Sequence, residues 1–90
     1  MEIEFDPQKA ASNYRKHHVD FEEATTCFFD PLALSTEDPF SLDENRWVLI
    51  GISIRARHLT VVYTLRNNRI RMISARKSTR REIEHHAQGI

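Results

Sequence analysis

Apolar residues change their spacing halfway along the chain. Ile3 and Phe5 alternate with Glu2 and Glu4, the period-two pattern of a short strand over residues 2–5. Asp6-Pro7 then reads as an N-cap followed by a proline at the first helical position, which predicts a helix to Lys16 or His17. Its inner face is marked by Ala10 and Tyr14, with Ala11 or His18 beside them. Asp20-Phe21-Glu22-Glu23 has the form of a capping box, and Phe21, Ala24, Cys27 and Phe28 recur at helical spacing until Asp30-Pro31 stops the helix. Residues 32–45 are irregular and acidic. A short strand at Leu32–Leu34 and turns at Thr36-Glu37-Asp38-Pro39 and Leu42-Asp43-Glu44-Asn45 are expected there.

From Trp47 the period shortens. Residues 47–54 form a β-rich run, apolar on both faces, that reads as a central strand. Arg55-Ala56-Arg57 is a basic turn, and residues 59–65 return as a second β-branched strand. Asn67-Asn68 tolerates positive φ and predicts a tight hairpin into a strand over 69–76. Thr79-Arg80-Arg81-Glu82 is a capping box for a last helix, with Gly89 just past its end. The expected order is β-α-α-β-β-β-β-α, an α+β domain with an antiparallel sheet. Residues 1–90 read as one domain, since no break in composition is long enough to divide them.

Composition narrows the function. The chain has 90 residues, 13 Lys+Arg, 13 Asp+Glu, 40% hydrophobic residues and a single cysteine. No apolar run approaches a membrane span, the acidic start is unlike a secretory signal, and Cys27 alone makes no disulfide or cysteine-based zinc site, so the cytoplasm is the default location. Cys27 itself reads as core. Two glycines cannot form a phosphate-cradling loop, which argues against a nucleotide-triphosphate enzyme. His17-His18 and His85-His86 are neighbours whose side chains diverge by about 100° on a helix, so no metal site is expected.

The balanced charge conceals a division. Residues 1–45 carry three basic against eleven acidic side chains, a net of −8; residues 46–90 carry ten against two, a net of +8. Nine of those ten are arginines, whose planar fork suits phosphate or carboxylate. Arg55 and Arg57 lie on the first hairpin turn, Arg66 and Arg69 flank the second, Arg71 and Arg76 bracket the last strand, and Lys77, Arg80 and Arg81 gather where that strand enters the last helix. A helix N-terminus ringed by guanidinium groups would make a phosphate site. The alternative is a solvated basic face.

Several segments together resemble the BrnT toxin family: Phe5-Asp6-Pro7 with Lys9-Ala10 and Asn13, Lys16-His17 with Val19, Phe21-Glu22-Glu23-Ala24, Phe29-Asp30-Pro31, Arg46-Trp47, Val62-Tyr63-Thr64, and Ile70 to Arg76 with Thr79 and Glu82. The resemblance covers residues 3 to about 86. It implies a RelE-like fold and a type II toxin that cleaves RNA and arrests translation. It also implies a BrnA-type ribbon-helix-helix antitoxin that neutralises the toxin and through which alone the pair contacts operator DNA. No cofactor or membrane partner is implied. Metal-independent cleavage needs an acid–base group and cations around the phosphorane. We expect Arg57, Arg76 and Arg80 to stabilise the phosphate and His17, an imidazole at a matching position, to carry the proton. Tyr63 is expected to supply a hydroxyl or a stacking face. Arg55, Arg66, Arg69, Arg71, Lys77 and Arg81 are expected to bind RNA. His17 also reads as a helix cap and Tyr63 as core. His18, Leu65 and His86 depart from the glycine, acid and tyrosine common at those places in the family, and His85 or His86 is a candidate substitute acid–base group. The competing reading is a non-catalytic module whose arginine face holds RNA or an acidic protein.

Overall fold

The Asp6 carboxylate accepts a hydrogen bond from the Gln8 N–H at 2.9 Å, so the first helix begins at Pro7, where a missing N–H costs nothing. The structure, a computed structural model, describes residues 2–41 and 45–89. Along the chain these form β1 (Ile3–Glu4), α1 (Pro7–His17), α2 (Phe21–Thr26) continued by a single 3-10 turn (Cys27–Phe29), β2 (Leu34–Glu37), β3 (Arg46–Ile52), β4 (His58–Arg66), β5 (Arg69–Lys77) and α3 (Arg80–Gln88). Residues 42–44 of the second expected acidic turn lie outside the described residues.

The strands join one sheet in the order β1-β5-β4-β3-β2. It is mixed, which corrects the antiparallel sheet expected from sequence. β1 pairs parallel to β5, Ile3 opposite Ile70 and Glu4 opposite Arg71. A parallel neighbour requires a long crossover, here most of the chain, so no local pattern reveals it.

Alternation separates two faces. Leu49 of β3, Leu59, Val61 and Tyr63 of β4, and Met72 and Ala75 of β5 are buried on one face, packed with Val19, Phe21, Ala24 and Cys27 of the α1–α2 layer. Gly51 allows this approach, since a Cβ there would sit 3.0 Å from the Cys27 carbonyl oxygen. Burial pushes the Cys27 thiol up to about 12, with Glu23 and Asp30 adding to the effect. Thr60 opposite Arg76, Val62 opposite Ser74 and Thr64 opposite Arg71 take the other face. A register shift at Val62/Tyr63 leaves Ile73 as an extra residue in β5, so that Met72 and Ala75 both reach the core although they are three apart. Helix α3 lies on this second face: His86 Nε2 is 2.8 Å from Asp30 Oδ2, and its ring meets His58 edge-on at 5.2 Å.

Other local expectations shift. Ala10 of the expected inner face of α1 packs against the core, but the buried position is Asn13, and Tyr14, at 52%, Ala11 and His18 are exposed. Leu32 lies in a turn, and Thr36 and Glu37 belong to β2. β3 ends at Ile52, because Ser53 closes the basic turn: its N–H donates to the Arg57 carbonyl at 2.9 Å, and Ala56 takes φ 61°. Asp20 caps α2 by accepting from the Glu23 N–H, but the Glu23 side chain does not return to complete a box. The box at α3 is complete, and Gly89 ends that helix at φ 74°. Among the described residues no helix is long and apolar enough to cross a membrane.

Candidate functional site

The arginines do not converge. Arg57 binds Glu23 of α2 with both Nε, at 2.9 Å, and Nη2, while Ser53 Oγ donates to the same carboxylate at 2.7 Å. Glu23 is buried, and the Arg57 hydrogen bonds hold its carboxyl below the usual range despite burial, with Ser53 assisting. Arg57 is therefore the pin between the β3–β4 turn and α2. Glu23→Gln keeps a partner for Ser53 but removes the charge opposite Arg57. We expect it to lower stability by about 2 kcal/mol, read as a reduced urea midpoint at unchanged slope.

Arg76 faces the other side of the sheet. Its two terminal nitrogens grip Glu82 of α3 at 2.8 and 3.0 Å. Arg80 precedes Glu82 by two residues, about 200° around the helix, and is exposed. The anion trap expected from Arg57, Arg76 and Arg80 is thus absent: strand alternation divides the first two, helix periodicity turns the third away, and carboxylates of α2 and α3 claim two of the three. Tyr63 is also removed from it. It is 8% exposed on the helix-covered face, its hydroxyl 2.6 Å from Ser35 Oγ and its ring edge-on to Phe28. Arg69 and Arg71 pair with Glu2 and Glu4, Arg66 lies at the exposed hairpin, and Arg55, Lys77 and Arg81 are exposed, the last two at the junction of β5 and α3. His86 is spent on Asp30.

Three carboxylates titrate low. Burial would raise Glu82, but Arg76, the Thr79 N–H and Thr60 outweigh it and bring it to about 2. Burial would likewise raise Asp30, but the N–H groups of Ile52 and Leu32, and His86, pull it down. With Glu23, each has a folded-state value below its unfolded one. Their stabilisation is present in full above the unfolded carboxylate range and is lost as pH falls through the folded values. Urea midpoints should therefore fall from about pH 4.5 downward, Glu82 contributing until about pH 2, and Glu82→Gln should flatten part of that slope.

What the fold does assemble is a cleft beside β5. Strand β1 covers β5 only at Ile70 and Arg71, so the strand edge beyond them needs another partner. Asn13 supplies it: Oδ1 accepts the Ala75 N–H at 3.0 Å, and Nδ2 donates to the carbonyls of Ala75 and Val19 at 2.8 and 3.0 Å. This seats α1 along the edge, and an open cleft of about 240 Å³ remains, lined by Lys9, Ser12, Asn13, Lys16, His17, Ile73 and Ser74. Two lysines, a histidine and two serines are among the lining residues, with no Asp or Glu. Ser74 shares its strand face with Arg71 and Arg76. Of the expected acid–base and phosphate groups, His17 lies in this cleft and Arg76 two residues from its Ser74 wall. Sequence alone does not bring Lys9, Ser12, Lys16 and Ser74 together, although Lys9, Ser12 and Lys16 stand at the i, i+3, i+7 spacing of one helix face. Among the described residues no cluster of three His, Cys, Asp or Glu side chains is placed to hold a metal ion.

Comparison with known proteins agrees with the fold. The crystal structure of the Brucella abortus ribonuclease toxin, BrnT, determined at 1.1 Å, superposes on 89% of this chain and 99% of its own with a TM-score of 0.64 and 22% identity. No curated protein sequence matches. The family model for the ribonuclease toxin, BrnT, of type II toxin–antitoxin systems matches residues 5–82, a span that includes Asn13, the cleft and the Arg76–Glu82 pair, and on that match the chain belongs to the BrnT family of ribonuclease toxins.

Proposed function

We propose that this chain is a RelE-like, metal-independent endoribonuclease, and that the α1–β5 cleft is where it holds the scissile phosphate. The observation that carries this reading is the gathering of Lys9, Lys16 and His17 around Ser74 with no carboxylate in the lining. His17 takes the proton from the ribose 2′-hydroxyl as that oxygen attacks phosphorus. The lysines stabilise the extra negative charge of the phosphorane. The P–O5′ bond then breaks, the proton passes to the 5′-oxygen, and the products are a 2′,3′-cyclic phosphate and a 5′-hydroxyl. In the cell this arrests translation in the cytoplasm until an antitoxin binds. We take that partner to be a BrnA-type ribbon-helix-helix protein through which the pair contacts its operator.

The test is cleavage of single-stranded RNA in excess EDTA. We expect cleavage with a cyclic-phosphate end, and we expect Lys9→Ala and Lys16→Ala each to raise KM and to reduce the salt slope by about one. RNA bound under the same conditions but left intact would replace this reading by that of a non-catalytic module. Growth rescue on co-expression with a ribbon-helix-helix protein tests the partner.

A further inference from the structure

Helix α1 ends in an exposed aromatic pair that the cleft does not use. Tyr14 is 52% exposed, and its ring meets that of His18 edge-on at 6.0 Å. His18 is the C-cap of α1 in the left-handed region, φ 57° and ψ 32°, held there by its N–H donating to the Tyr14 carbonyl at 2.8 Å. Glycine would take that conformation without a steric penalty, whereas an imidazole-bearing residue takes it at a cost. The cap conformation therefore does not call for histidine. What histidine adds is a second ring beside Tyr14.

The pair stands next to cationic residues on the cleft side. Lys16 and His17, which line the cleft, lie between Tyr14 and His18 in the chain. Open aromatic rings bordered by cations are the arrangement that binds single-stranded nucleic acid, because the backbone follows the charges while unpaired bases stack on the rings. We propose that Tyr14 and His18 form a stacking platform for an unpaired base of the RNA whose phosphate occupies the α1–β5 cleft. The platform rests on the reading of that cleft as the RNA site, and it extends the bound region by at least one nucleotide around the end of α1.

A fluorescently labelled, 2′-O-methylated single-stranded RNA, which cannot be cleaved, measures binding separately from chemistry. We expect Tyr14→Leu and His18→Gly each to weaken binding about tenfold by anisotropy. His18→Gly should melt no lower than the wild type, since it relieves the left-handed residue, and this separates loss of the platform from loss of fold. An oligonucleotide with abasic sites should bind wild type and both variants equally weakly. Wild-type affinity in both variants for the intact oligonucleotide would overturn the platform. If the unmodified RNA is still cleaved in that case, the cleft reading stands without it. A wild type that neither binds the oligonucleotide nor cleaves RNA overturns both.

Discussion

His17→Ala is expected to lower the rate of RNA cleavage by about 10²–10⁴-fold, the usual contribution of a positioned acid–base group. His17 is exposed, so its removal leaves the core untouched. It is also one of three basic residues in the last turn of α1, where a cation interacts favourably with the helix dipole. That interaction is worth about 0.3–1 kcal/mol, so the alanine variant should lose up to a few degrees in Tm and nothing more. His17→Lys separates the two roles. Lysine restores the charge at the helix end and with it the stability. It does not exchange protons readily near neutral pH, so cleavage should stay low. Near-full activity in His17→Lys would show the residue to be a cap and would shift the chemistry to another group.

The helix starts were legible because a cap is a local matter. Asp6-Pro7, Asp20 and Thr79 with Glu82 lie within three residues of the N–H groups they satisfy, and each opens a helix in the structure. The hairpin was legible for the same reason: Asn67 and Asn68 take φ of 50° and 63°. The site was legible only in part. Arg57 looked like a phosphate ligand because Glu23, which neutralises it, lies 34 residues away. Tyr63 looked available because Ser35, which holds its hydroxyl, is 28 residues away. The extra residue Ile73 has no signature in an alternating run, yet it determines which side chains of β5 reach the core and which stand on the arginine face. Part of the charge asymmetry between halves is neutralised inside the fold: Glu23, Glu2 and Glu4 of the acidic half meet Arg57, Arg69 and Arg71 of the basic half. The residues left to act on a ligand include Lys9 and Lys16 of the acidic half, which arginine counting passed over.

Asn13→Ala should be the most destabilising single change outside the apolar core. Asn13 is buried and makes three hydrogen bonds to main chain, two to Ala75 and one to Val19. Alanine leaves the N–H and C=O of Ala75 and the C=O of Val19 without their present partner, beside two residues that are fully buried. A buried polar group stripped of its partner costs about 1–3 kcal/mol. Water reaching the strand edge offsets part of this, so we expect a loss of about 3 kcal/mol. That is a large share of the ~5–15 kcal/mol typical of a domain, and it corresponds to a Tm drop of the order of 15 °C. Asn13→Asp tests the geometry more closely. It keeps the acceptor for the Ala75 N–H but points a carboxylate at two carbonyl oxygens, so it should rescue little at pH 7 and more at pH 4, where a protonated carboxyl donates again. Activity should follow the helix rather than the global melt, because α1 carries Lys9, Lys16 and His17 to the cleft and Asn13 helps hold it against β5. At a temperature where Asn13→Ala is still folded by far-ultraviolet circular dichroism, its KM for RNA should already be raised. A variant that loses less than 1 kcal/mol and cleaves normally would mean that the edge of β5 is satisfied by solvent and that the cleft does not depend on this residue.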